Sequence, residues 1–306
     1  MTAPRQVLPG TSYLVTRRCT QRQLLLRPSA ETNQLFEYVL AVAARRFNVL
    51  IHAFCVMSSH FHIVLTDPDA QLPAFEQYLA SLVARAMNAS LGRWESFWAP
   101  ASYSAVALAT PEDVVAKAAY VLANPVAAGL VRRGGEWPGL WSAPDRIGGE
   151  GTAVARPATF FRPNGSMPQS AELQLTIPPG FTAAEMFREQ LAVAVAELER
   201  KARNALESAG RRVLGAAKVL TQSVWSRPGS FEQRRGLNPR VAARDKWKRL
   251  EALSRLTEFR RAYREAFTKL RAGARDTVFP AGTYLLRVVH NVRCALPRGD
   301  SPDLAP

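Results

Sequence analysis

Met57-Ser58-Ser59-His60-Phe61-His62-Ile63-Val64 is the stretch on which the reading of this chain turns. Val49 to Phe54 before it is mostly apolar, and Phe61, Ile63, Val64 and Leu65 continue the pattern after a short Ser58-Ser59 turn. The spacing predicts two paired strands, over Val49–Met57 and Phe61–Thr66. In a strand, residues two apart share a face, so His60 and His62 point one way and Phe61 and Ile63 the other. The chain has only four histidines, and two stand here. Neighbouring imidazoles on a sheet face are candidate ligands for one divalent metal. They supply two ligands, and a third has to come from elsewhere.

Some sixty residues on, Thr110-Pro111-Glu112-Asp113 has the features of a helix start: threonine as N-cap, proline at the first helical position and acids in the first turn. Val114, Val115, Ala118, Ala119 and Leu122 follow at helical spacing. Tyr120 and Asn124, four apart, share a face of this helix. Pro125 disfavours the helical region for Asn124, which predicts that the helix stops there. A phenol and an amide oxygen then project together from a helix end. A tyrosine beside a metal-bound phosphate is a candidate nucleophile for a covalent ester. Each residue has a plainer reading when taken alone. Strand histidines are more often structural, Tyr120 a core aromatic, and Asn124 a helix-terminal residue. Tyr13 and Tyr103 are rival phenols on predicted strands, without a ligand partner four residues on. His52 and His290 read as structural.

Together, Cys55-Val56-Met57-Ser58-Ser59-His60-Phe61-His62 and Tyr120-Val121-Leu122-Ala123-Asn124-Pro125-Val126-Ala127-Ala128-Gly129-Leu130-Val131 resemble the single-tyrosine HUH transposases, and among them the REP-associated tyrosine transposases. Pro9-Gly10, Tyr13–Thr16 and Trp137–Ser142 match as well, so the resemblance covers about residues 9–142. It implies an α+β fold, an antiparallel sheet with helices on one face in a ferredoxin- or RRM-like palm. It implies Mg²⁺ or Mn²⁺ held by His60, His62 and Asn124, and Tyr120 attacking single-stranded or hairpin DNA to leave a 5′-phosphotyrosine and a free 3′-hydroxyl. A homodimer is compatible with it. The chain departs from the family in three places. Ser59 stands where asparagine is frequent, and Ser96–Tyr103 lacks the arginine of a Trp-x-x-Arg element. Ala127-Ala128 replaces Arg-Ala. Two other function classes stay open: a DNA-binding module of the same fold without turnover, and a metal-dependent nuclease that uses water.

Composition fits a partner of negative charge. The chain of 306 residues carries a net charge of +15. Residues 1–150 hold 13 Lys and Arg against 11 Asp and Glu, and residues 151–306 hold 27 against 14. The second half therefore carries +13 of the +15, and is expected to supply most nonspecific DNA affinity. Three cysteines give neither a disulfide framework nor zinc spacing, which suits a reducing cytoplasm and a nucleoid-associated protein. No apolar run reaches the ~18 residues of a membrane span, and Met1–Gly10 has no signal-peptide core.

Three regions are expected: 1–145 as the domain carrying the motifs, 146–180 as a linker or loose extension, and 181–306 as a basic, mainly helical region. The order strand-helix-strand-strand-helix-strand-helix over the first region is a split βαβ arrangement. In the last, Thr182–Ala209 and Ala242–Arg271 read as helices, Ser226–Pro239 as a Gly/Pro/Arg-rich loop and Tyr284–Cys294 as a strand. Arg211–Ser226 fits a helix-turn-helix or a plain helical pair equally well.

Overall fold

The computed structural model describes residues 4–100, 103–229 and 239–297. Its first half runs β1 (Thr11–Arg18), α1 (Ala30–Arg46), β2 (Leu50–Met57), β3 (His60–Asp67), α2 (Leu72–Ser90), β4 (Ser104–Leu108) and α3 (Pro111–Ala127). Then come β5 (Thr152–Ala155), β6 (Ser170–Leu173), α4 (Ala184–Ser208), α5 (Ala216–Thr221), β7 (Val241–Ala242), α6 (Lys246–Arg271), β8 (Val278–Phe279), α7 (Leu285–His290) and β9 (Arg293–Cys294). The main sheet has the order β2-β3-β1-β4-β7, antiparallel throughout except for the β4–β7 pair. The fold is thus mixed α and β around an antiparallel-dominated sheet.

The expected cap at Thr110 is present, and Ser29 caps α1 in the same way. The Ser29 side chain accepts from Thr32 N at the start of α1, and that of Thr110 from Asp113 N at the start of α3. Each satisfies one backbone donor that the first helical turn leaves unpaired.

Helices cover both faces of the sheet, where one face was expected. Phe61 packs edge-on against Phe36 of α1 and against Trp98, whose indole N–H donates to Ala80 O in α2. One strand position on, His62 meets Tyr120 and Asn124 of α3 across the opposite face. The reason lies in β2 and β3, where every residue after the first is buried. Cys55, Met57, Ala53 and Val64 share the histidine face. A strand apolar on both sides needs cover on both sides. α4 then packs on α3, burying Phe187, Leu191 and Val195, four apart along one stripe.

The β2 edge of the sheet is covered. Trp137–Ser142 runs beside β2, with Val56 N donating to Leu140 O and Ser142 N to Phe54 O, and β7 pairs with β4. A covered edge offers no template for pairing with another chain.

α3 does not stop at Asn124. It continues through Pro125 to Ala127 and closes in a Schellman motif, with Gly129 N donating to Val126 O and Leu130 N to Pro125 O. Burial of Pro125 and Val126, together with these terminal bonds, holds the proline inside the last turn. Gly129 has φ +72, and a Cβ there would sit 3.2 Å from Leu206 Cδ2 of α4. Gly129→Ala is expected to destabilise the protein by about 1–2 kcal/mol, because an L side chain is strained in the left-handed region. Denaturant unfolding of the two proteins checks this; equal midpoints and slopes would count against it.

Composition reads 146–180 as a linker, but the structure gives it the β5–β6 hairpin packed on α1. Tyr38 donates to Pro168 O at 2.6 Å and meets Phe161 edge-on. The alternation Ala171, Leu173, Leu175, all buried, was the signal that could have found it. Tyr284–Cys294 forms α7 and the two-residue β9 instead of one strand, since β8 offers only two residues to pair with. Between Arg211 and Ser226 lies the single short helix α5. The predicted loop over 226–239 and the arginine-free stretch over 96–103 fall partly outside the described residues. Among the described residues no helix is long and apolar enough to cross a membrane, and the three cysteines are unpaired.

Candidate functional site

The candidate site lies where the β3 histidines face α3. His60 and His62 pair across the sheet with Arg18 and Thr16 of β1. Their rings are 4.8 Å apart between centroids. His62 is buried, while His60 is half-buried. His62 Nδ1 lies 2.7 Å from Thr16 Oγ1, and its Nε2 lies 3.4 Å from Asn124 Nδ2. One tautomer satisfies both contacts: Nδ1–H donates to Thr16, and Nε2 accepts from the amide. Burial first, then His60 and the Arg18 charge, hold the His62 imidazole well below its usual protonation range. At neutral pH it is therefore uncharged, with the Nε2 lone pair turned toward α3. His60 Nδ1 lies 3.2 Å from Ser59 Oγ.

The residue that would supply a third donor is the amide Asn124. Among the described residues no group of three or more His, Cys, Asp or Glu is placed to hold a metal. Two imidazole nitrogens and the Asn124 amide oxygen, exchangeable with Nδ2 by a half-turn, form a neutral, mixed N/O set. Carbonyl oxygen suits Mg²⁺ and Mn²⁺, and imidazole suits softer ions than Mg²⁺. The set therefore fits Mn²⁺ at least as well as Mg²⁺.

Tyr120 lies one turn before Asn124, its ring edge-on to His62 at 5.5 Å between centroids. It is 44 % exposed, between the buried Ala119 and Val121. Tyr13 is buried on the far side of the sheet, and burial pushes its phenol up to about 12. Burial also raises the Tyr103 phenol, which lies beneath the Arg5 guanidinium. Lys117 was not singled out from sequence. Its Nζ lies 5.8 Å from the Tyr120 ring centroid. Spacing three apart on the exposed side of α3 was the available signal.

His290 ends α7 and is exposed. His52 is buried outside the histidine pair. A bulge in β2 aims it at Thr66, with Nε2 2.8 Å from Thr66 Oγ1 and Nδ1 2.9 Å from Thr176 O. Burial lowers its pKa to about 4. The unfolded chain gains a proton near pH 6.5 that the folded chain refuses until about pH 4. Stability is therefore lost as pH falls through that window, by about 3 kcal/mol for this group. In His52→Gln the pH dependence of unfolding between 6.5 and 4 should be shallower by one proton. An unchanged slope would contradict this.

No family model matches the chain, and no curated protein sequence is similar to it. Solved structures similar to it include the following two. A REP-associated tyrosine transposase bound to a REP hairpin is 20% identical, with 45% of this chain and 80% of that one covered and a TM-score of 0.39. A protein described as a transposase, from Deinococcus radiodurans R1, is 20% identical, with 35% and 85% covered and a TM-score of 0.27. Values this low carry no argument about chemistry, which has to come from the side chains themselves.

Proposed function

We propose that the protein is a transposase-like single-strand DNA endonuclease and strand transferase, with Tyr120 as nucleophile and a 5′-phosphotyrosine intermediate. The observation that carries it is the exposed Tyr120 phenol set against the buried, neutral His62, whose Nε2 meets Asn124. The resemblance of both sequence blocks supports the same reading. His60, His62 and Asn124 would hold Mg²⁺ or Mn²⁺, which when bound neutralises charge on the scissile phosphate and steadies the departing 3′-oxygen. Thr16 orients the His62 ring through Nδ1. Lys117 adds positive charge near the attacked phosphate. The Tyr120 oxygen bonds to phosphorus, the bond from phosphorus to the 3′-oxygen breaks, and the phenol proton is balanced by the one gained on the 3′-hydroxyl. Attack of a 3′-hydroxyl on the phosphotyrosine reverses these changes and joins strands.

Incubation with Mn²⁺ and single-stranded DNA should give a denaturation-resistant protein–DNA species mapping to Tyr120, and duplex of the same sequence should react poorly. An adduct at Tyr13 or Tyr103 would overturn the assignment.

α6 carries nine Lys and Arg against three Glu. Exchanging the exposed Lys248, Arg249, Arg261 and Arg264 for Gln should flatten the salt dependence of single-strand binding, by ~0.7 log units per log unit of salt for each phosphate that these side chains neutralise in the wild type. An unchanged slope would assign α6 to packing or to a protein partner.

A further inference from the structure

Outside the candidate site, the most exposed aromatic in the described chain is Trp94, 90% exposed in the loop after α2. Trp225, 51% exposed, comes to the same loop from far along the sequence. Arg93, the chain neighbour of Trp94, has its guanidinium 5.1 Å from the Trp225 ring centroid and a side chain only 6% exposed. Arg93 donates to Gln23 Oε1 at 3.4 Å and lies 3.5 Å from the Glu95 carboxylate. Leu24 N donates to Ser226 O, and Arg27 to Gln222 O, so the Trp225 segment is tied to the loop after β1. The exposed Arg227 donates to Gln21. Gln21 and Arg22 have φ of 50° and 60°, a conformation that side chains other than glycine seldom adopt. Strain of this kind collects at sites that bind.

This assembly is fastened to the histidine end of the sheet. Cys19 N donates to Ser59 O and Leu26 N to Ser58 O, the two residues just before His60. Thr20 N donates to Phe97 O, linking the same loop to the Trp94 loop.

We propose that Trp94 and Trp225, set by Arg93, form a stacking platform for unpaired bases of a DNA strand that runs to the Tyr120 site. The proposal rests on reading that site as acting on single-stranded DNA. Indoles stack on any base, and the exposed Arg227 beside them favours the phosphate backbone. The platform also puts arginines beside the DNA that the Ser96–Tyr103 stretch lacks.

The test uses full-length Tyr120→Phe protein, which cannot form the adduct, and fluorescence anisotropy with labelled oligo-dT. Trp94→Ala and Trp225→Ala should each weaken binding by roughly tenfold, with the salt slope unchanged because indole is uncharged. Trp94→Phe should keep most of the affinity, and it keeps the test decisive if the alanine variant folds poorly. An abasic oligonucleotide of equal charge should bind more weakly than oligo-dT, and equally to parent and double alanine variant. Unchanged oligo-dT affinity in the double variant, or no preference for bases over abasic sites, overturns the platform. A tryptophan-dependent affinity in a protein whose wild type forms no adduct overturns the nuclease reading and leaves the platform standing.

Discussion

Tyr120→Phe is expected to abolish the covalent protein–DNA species and strand cleavage together, while oligonucleotide binding stays near wild type. The phenyl ring keeps its edge-on packing against His62, and Tyr120 is partly exposed, so the fold should tolerate the change. Only the oxygen that bonds to phosphorus is removed. Gel analysis after denaturation reads the adduct, and product analysis reads the cut. Efficient cleavage by the variant without an adduct would move the protein to a water-using nuclease. Failure of the wild type to cut or couple any single strand, with binding intact, would leave a binding module. Phosphoserine or phosphothreonine in place of phosphotyrosine would reassign the nucleophile.

The second large effect is expected at His62. His62→Ala removes a buried donor that Thr16 and Asn124 both touch. A bound ion contributes several kcal/mol to stabilising charge in such transition states, so the cleavage rate should fall by ~10²–10⁴-fold. Chelation should do the same to the wild type. Direct Mn²⁺ titration by calorimetry gives a readout separate from catalysis: the wild type should take up one ion per site, and His62→Ala and Asn124→Ala should bind it far more weakly. Mn²⁺ should support the reaction at least as well as Mg²⁺, given two imidazole donors. Mn²⁺ binding unaffected by both variants would sink the ligand assignment, whatever happens to the rate. Oligonucleotide affinity should change little in either, because neither side chain belongs to the basic surface.

Much of the sheet was legible because its signals are local. Capping residues at Ser29 and Thr110 satisfy donors within three positions, and strand periodicity alone puts His60 and His62 on one face. The pairing of Tyr120 with Asn124 is likewise a matter of helix pitch. Other features were set by partners distant in sequence. Pro125 stays helical because buried neighbours and the Gly129 turn hold it, against its local preference. The hairpin over 152–173 lay hidden in a Gly- and Pro-rich composition whose apolar alternation is short. The sequence by itself determined which residues share a face and where helices begin, since those depend on backbone geometry over a few positions. Only the tertiary structure decided that α3 crosses the histidine face, that Tyr120 is exposed while Tyr13 is buried and Tyr103 partly buried, and that Trp225 meets Arg93. Those outcomes follow from which apolar surfaces had to be covered, and that is settled by the whole chain at once.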